Sequence, residues 1–99
     1  MYSINYHEEV EKDFKELGHA TTLLVLKKIK KLAKNPIIGD DLGNKANMNL
    51  SGYKKAYVDN KRVRIIYKII DDKIEIFVLA VGKRDEMEVY QKAFGRIQS

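Results

Sequence analysis

From Lys54 to Lys68 the chain sets six basic residues, Lys54, Lys55, Lys61, Arg62, Arg64 and Lys68, against one acid, Asp59. Lys83 and Arg84 follow at the end of the next apolar run, with Tyr90 shortly beyond. This set is suited to phosphate, because a guanidinium forks onto two phosphate oxygens and stays charged. Arg64 is the most telling member. It sits inside the apolar run Val63 to Ile70. There it must reach water, an acid or a phosphate, since burying an unpaired charge is costly. Strand alternation would put Arg64 and Lys68 on the face opposite Val63, Ile65, Tyr67 and Ile69. Tyr53, Tyr57 and Tyr90 supply rings of the kind on which unpaired bases stack beside basic groups. By composition alone the same residues also describe a solvated outer sheet face, which is ordinarily polar.

Other chemistries find little support. The chain has no P-loop, glycine-rich nucleotide fingerprint, nucleophile elbow or HExxH motif. Cysteine is absent, which rules out a thiolate nucleophile, a disulfide framework and a Cys-based zinc site. His7 and His19 are isolated and offer no ligand pair, so no metal is expected. Glu8, Glu9 and Glu11 read as a helix start, and Asp40-Asp41 as a solvated loop. No cofactor is expected either.

The elements that must position the basic set follow from periodicity. Val63 to Ile70 and Ile74 to Val81 are apolar runs around the polar break Asp71-Asp72-Lys73, which is the pattern of an antiparallel hairpin. The second run is apolar at nearly every position, as in a central strand covered on both faces. Tyr2, Ile4 and Tyr6 alternate with Ser3 and Asn5 as a short N-terminal strand. Val10, Phe14 and Leu17 then define a helix that Gly18 stops. A second helix, starting near Ala20 to Thr22, buries Val25, Ile29 and Leu32 and ends at Asn35-Pro36. Its outward lysines, Lys27, Lys28, Lys30, Lys31 and Lys34, form a solvated face that adds long-range attraction for polyanions. Ile37 to Asn49 reads as a loop by composition. Tyr53 to Val58 is a strand, Asp59-Asn60-Lys61 a turn, and Asp85 to Gln98 a C-terminal helix anchored by Val89 and Phe94.

The resulting order is β-α-α-β-β-β-α, an α+β domain with an antiparallel sheet packed against an N-terminal αα-hairpin, plus a C-terminal helix. Part of the other sheet face is left open. With 99 residues, 44% of them hydrophobic and 33% charged, one globular domain spanning 1–99 is expected. A net charge of +5 suits an anionic partner. Lys73 interrupts the longest apolar stretch, so no membrane span is expected. The N-terminus, MYSINYHEEVEKD, lacks the basic start and apolar run of a signal peptide, which makes the cytoplasm the expected location.

The stretch VRIIYKIIDDKIEIFVLAVGKRDEMEVY resembles the RelE branch of the RelE/ParE superfamily of toxin–antitoxin toxins. The pattern is R-x-x-Y, two apolar strands, V-G-K-R and then E-V-Y; Asn35-Pro36 and Leu50-Ser51-Gly52 also fit. The resemblance covers nearly the whole chain. It implies a ribosome-dependent endoribonuclease that cuts messenger RNA in the ribosomal A site by metal-independent attack of the RNA 2′-hydroxyl. It also implies a RelB-like antitoxin as partner, beside the ribosome and its mRNA. Carried over by position, it assigns catalytic roles to Lys54, Arg64, Arg84 and Tyr90. Lys55, Lys61, Arg62, Lys68 and Lys83 would bind RNA around them. One departure stands out: the family's second strand lysine is replaced by Ala56, which leaves the general base open. Lys55, next to it, is expected to point to the other face unless a bulge changes the register. A ParE-like gyrase inhibitor and a non-catalytic RNA-binding module are the alternatives.

Overall fold

The two apolar runs form the centre of the molecule. In the computed structural model, which describes residues 1–45, 47–83 and 87–98, they are β4 (Val63–Ile70) and β5 (Glu75–Lys83). The remaining elements are β1 (Ser3–Tyr6), α1 (Val10–Leu17), α2 (His19–Lys34), β2 (Asp40–Lys45), β3 (Met48–Val58) and α3 (Glu88–Gln98). They build a five-stranded sheet in the order β1-β5-β4-β3-β2. β1 runs parallel to β5, and the other neighbours are antiparallel. The sheet is therefore mixed at one edge rather than wholly antiparallel.

Both faces of the sheet are used. On one, Val63, Ile65, Tyr67, Ile76 and Val78 pack against Val10 of α1 and Val25, Ile29 and Leu32 of α2. On the other, Ile66, Leu79 and Ala80 pack against Val89, Tyr90 and Ala93 of α3. Each buried branched aliphatic side chain contributes about 1.5–3 kcal/mol of transfer free energy. β5 lies under helices on both sides, and Ile76 to Gly82 is buried apart from the half-buried Phe77. The central, doubly covered strand expected from its composition is thus found. α3 takes part of the face the sequence left open.

Gly18 joins α1 to α2 at φ +85°, a backbone conformation that glycine adopts without strain. Its N–H donates to the Phe14 carbonyl at 3.1 Å, and its carbonyl accepts from Thr22 N–H at 3.0 Å. One residue thereby closes the first helix and opens the second, earlier than the Ala20 to Thr22 start expected.

The loop reading of Ile37 to Asn49 is overturned. Only a short 3-10 turn, Pro36–Ile38, and the Gly39 connection precede β2, which pairs with β3 as a hairpin. The chain thus runs β-α-α-β-β-β-β-α, with one strand more than expected. β2 is an edge strand, and its sequence, DDLGNK, carries the charge and glycine that keep edges from pairing with other chains. That composition resembles a loop. Leu42, Met48 and Leu50 give the hairpin a buried side. Two boundaries also move. Ile74 takes φ +50° before β5 and is 58% exposed, so the strand begins at Glu75. α3 begins at Glu88 rather than Asp85; Asp85 itself lies outside the described residues.

Candidate active site

A change of phase in β3 decides which side chains meet. Met48 and Leu50 are buried on the α3 face, whereas Ala56 and Val58 are buried on the α1/α2 face, although all four are even-numbered. Plain alternation would keep them on one face. The switch falls at Gly52, at φ +88°, where the β2 register also slips between Asp41 and Gly43. Beyond it, Tyr53, Lys55 and Tyr57 share the α3 face with Arg64, Ile66 and Lys68. Tyr57 pairs across strands with Arg64, and Lys55 with Ile66.

Arg64 is the hub of this face. Its guanidinium carbon lies 5.2 Å from the ring centre of Tyr57 and 5.2 Å from that of Tyr90. Nη1 donates to the Tyr90 hydroxyl. The Nε atom is buried, with no hydrogen-bond partner among the described residues. Two rings and one hydrogen bond thus fix a half-buried cation on a rigid strand. Lys55 and Lys61 approach the Tyr57 ring at 5.3 and 5.6 Å, and Lys45 approaches the Tyr90 ring at 5.7 Å. Further along the same face, Lys68 lies 5.4 Å from the Tyr53 ring centre and 5.9 Å from that of Phe77.

Gly82, opposite Arg64 on β5, lets α3 come close enough to complete this arrangement. A Cβ there would meet Val89 Cβ and Cγ2 at 3.2 Å each. Close seating of Val89 brings the adjacent Tyr90 over Arg64. Tyr90 is only 1% exposed, so it offers no stacking surface to RNA in this arrangement; its hydroxyl holds Arg64 in place.

The phenol of Tyr57 is perturbed. Hydrogen bonding from the Lys55 ammonium lowers its pKa from the ordinary tyrosine value; burial opposes this, and the charges of Lys55 and Arg64 add to the lowering. The carboxylate of Asp40, whose residue pairs with Lys55 across the strands, raises it slightly. The phenolate form is the one this cationic surround favours.

The sequence-assigned residues divide as follows. Arg64, Tyr90, Lys55 and Lys68 are brought onto one face, and Lys61 reaches it from the β3–β4 turn. Lys54 is not on this face. It pairs with Tyr67, on the α1/α2 side, and its Nζ makes an ion pair of 2.8 Å with Asp41. The expected orientations of Lys54 and Lys55 are therefore reversed, because the bulge at Gly52 shifts the alternation. Arg62 and Lys83 line a cleft with Thr21 and Asp59 at the end of the sheet. Lys83 pairs with Val63, which faces α2, so it too points away from Arg64. Arg84 lies outside the described residues. Lys45 was missed because its segment reads as loop. Tyr57 was read as a stacking ring alone; the signal for more was its placement two residues after Lys55 on a strand, hence on the same face.

Comparison with known proteins places this geometry. Residues 4–88 match the family described as ParE toxin of type II toxin–antitoxin system, parDE. The chain is 32% identical to the mRNA interferase toxin RelE of Escherichia coli K12, over 97% of each chain. A structure of a double arginine variant of E. coli toxin RelE in the free state aligns with a TM-score of 0.73 at 28% identity, covering 97% of each chain. The E. coli RelE variant in complex with an antitoxin RelBc peptide aligns with a TM-score of 0.71 at 26% identity, covering 93% of each chain. The chain belongs to this family of type II toxin–antitoxin toxins, and its similarity to RelE places it among the RelE-type members of the RelE/ParE superfamily.

Proposed function

We propose that the protein is the toxin of a type II toxin–antitoxin pair, an endoribonuclease that cuts messenger RNA in the ribosomal A site and so stops translation. The observation that carries this reading is the Arg64 guanidinium held between the Tyr57 and Tyr90 rings, on a face that also carries Lys55 and Lys68. The name of its E. coli relative, an mRNA interferase toxin, supports the same activity.

RNA brings its own nucleophile. Attack of a 2′-hydroxyl on the adjacent phosphorus forms a 2′,3′-cyclic phosphate and expels the 5′-oxygen. That chemistry needs no metal; it needs in-line geometry, a cation on the phosphoryl oxygens and two proton transfers. Arg64 supplies the cation, and Arg84 is assigned to the same task from the sequence. Tyr90 positions Arg64. Lys55 and Lys61 neutralise neighbouring phosphates, Lys68 with Tyr53 receives a flanking nucleotide, and Arg62 and Lys83 contact the RNA path at the end of the sheet. The ribosome presents the substrate.

The partner is a short, acidic RelB-like antitoxin that docks on this basic domain, in keeping with the RelBc peptide complex of the E. coli relative. No helix among the described residues is long and apolar enough to cross a membrane. The toxin acts in the cytoplasm, where its ribosomes are. The ParE description of the matched family favours a second reading, inhibition of DNA gyrase without RNA cleavage. Cell-free translation separates the two. A ribonuclease yields new mRNA 5′ ends at fixed codon positions; a gyrase inhibitor leaves mRNA whole and blocks supercoiling.

A further inference from the structure

We infer that Tyr57 is a catalytic residue, the group that takes the proton from the attacking 2′-hydroxyl. The inference rests on the ribonuclease reading and names the base which that reading leaves open.

Geometry narrows the choice. Lys54 faces the other side of the sheet and is tied to Asp41 at 2.8 Å. The Tyr90 hydroxyl is buried and already engaged by Arg64. His7 packs on Phe77, which lies across from Lys68 rather than Arg64, and its Nδ1 accepts from Glu9 N–H at 3.1 Å. Tyr57 remains. It is half-buried, lies directly across from Arg64, and is surrounded by cations from three directions: Lys55 on its own strand, Lys61 in the following turn and Arg64 on β4. Asp40 of β2 is the acid that opposes them. A phosphate on Arg64 would place its nucleotide against the Tyr57 phenol. The same cations that bind the phosphate hold this phenol below its usual range, so more of it is phenolate at neutral pH than for a free tyrosine.

The step balances as follows. The Tyr57 phenolate takes the proton of the 2′-hydroxyl, and the O2′–P bond forms. The P–O5′ bond breaks, its electron pair stays on the 5′-oxygen, and that oxygen takes a proton from water. The proton on Tyr57 returns to solvent, leaving no net change.

Tyr57→Phe keeps the ring beside Arg64 and removes only the hydroxyl. Single-turnover cleavage of mRNA on programmed ribosomes would be followed for the parent, Arg64→Ala and Tyr57→Phe across pH 6 to 8.5. The parent rate should rise with pH, and Tyr57→Phe should lose about 10²–10⁴-fold in the cleavage step together with that rise. Replacing Tyr57 with difluorotyrosine, a more acidic phenol, should move the rising limb to lower pH. If Tyr57→Phe cleaves at the parent rate with the same pH profile, Tyr57 serves only as a ring and the inference is overturned while the ribonuclease reading stands. If the parent itself cleaves nothing, both fall.

Discussion

Arg96 grips Asp13 with both ends of its guanidinium, Nη1 at 2.7 Å from Oδ2 and Nη2 at 2.8 Å from Oδ1, and so ties the last helix to the first. The reason lies in the sheet. β1 pairs with β5 only as far as Val78, which leaves the edge of β5 beyond it without a strand partner. Asp13 covers that edge, accepting from Val81 N–H at 2.9 Å and from Lys92 Nζ at 3.0 Å. It is 1% exposed. Holding α3 here also holds Tyr90 over Arg64.

Asp13→Ala removes the carboxylate that Arg96 and Lys92 share and the acceptor of Val81 N–H, while Arg96 keeps its bonds to the Leu79 and Glu9 carbonyls. Breaking a buried ion pair from one side costs about 3–5 kcal/mol, so urea unfolding should show a loss of that order. The pH dependence has a definite sign. Burial alone would raise the Asp13 pKa, but hydrogen bonds from Arg96, Val81 N–H and Lys92 outweigh it and hold the carboxyl below its ordinary value. The associated stability is therefore complete above about pH 4, the unfolded value, and is lost as pH falls through the lower folded value. Asp13→Asn should abolish that acid limb.

Arg64→Ala should lower mRNA cleavage by about 10²–10³-fold, the usual effect of removing one preorganised donor to developing charge. Circular dichroism should show the fold intact, since Arg64 is half-buried and lies outside both apolar cores. Tyr90→Phe should fall between the two, because it loosens Arg64 without removing it. Equal activity of all three proteins would exclude this arginine from the reaction.

Lys54 and Lys55 give a sharper comparison, because they are adjacent in sequence and opposite in space. Lys55→Ala should impair cleavage and lower the ionic-strength sensitivity of RNA binding, because one phosphate contact fewer releases fewer counterions. Lys54→Ala should leave cleavage near the parent rate. The Lys54–Asp41 pair joins a partly covered lysine to an aspartate whose side chain is 87% exposed, so its loss should cost under about 1 kcal/mol. The reverse ranking in a cleavage assay would mean that the phase switch at Gly52 does not exist.

Gly39→Ala tests how the β2 hairpin is fastened. A Cβ there would collide with the Tyr67 hydroxyl and lie 2.7 Å from the Lys55 carbonyl oxygen. Tyr67 is fully buried, donating to the Pro36 carbonyl at 2.7 Å and accepting from Gly39 N–H at 3.0 Å. Neither neighbour can move freely, and a loss of about 1–3 kcal/mol is expected by thermal or urea unfolding.

Much of this architecture is legible in the residues, because the two apolar runs and the 3.6-residue stripes of α1 and α2 are strong local signals. β2 was not legible: an edge strand is made of the residues that also make loops. Arg64 could be singled out since a charge inside a β-branched run demands a partner. The roles of Lys54 and Lys55 could not be settled, because a single glycine at φ +88° inverts the alternation after it, and nothing in the spacing announces that. Asp13 went unnoticed as well. Its partners, Val81, Lys92 and Arg96, are far away in the chain, and an acid in the first turn of a helix has a sufficient local explanation.

The most direct test of the account is the chemistry of the cut end. Messenger RNA cleaved on programmed ribosomes would be analysed for its 3′ terminus, alongside a transcript carrying a 2′-deoxynucleotide just before the cut. A cationic face that helps RNA cut itself predicts a 2′,3′-cyclic phosphate on the upstream fragment, a 5′-hydroxyl on the downstream one, and no cleavage of the deoxy transcript. A 3′-hydroxyl facing a 5′-phosphate, with the deoxy transcript cut as readily, would contradict it.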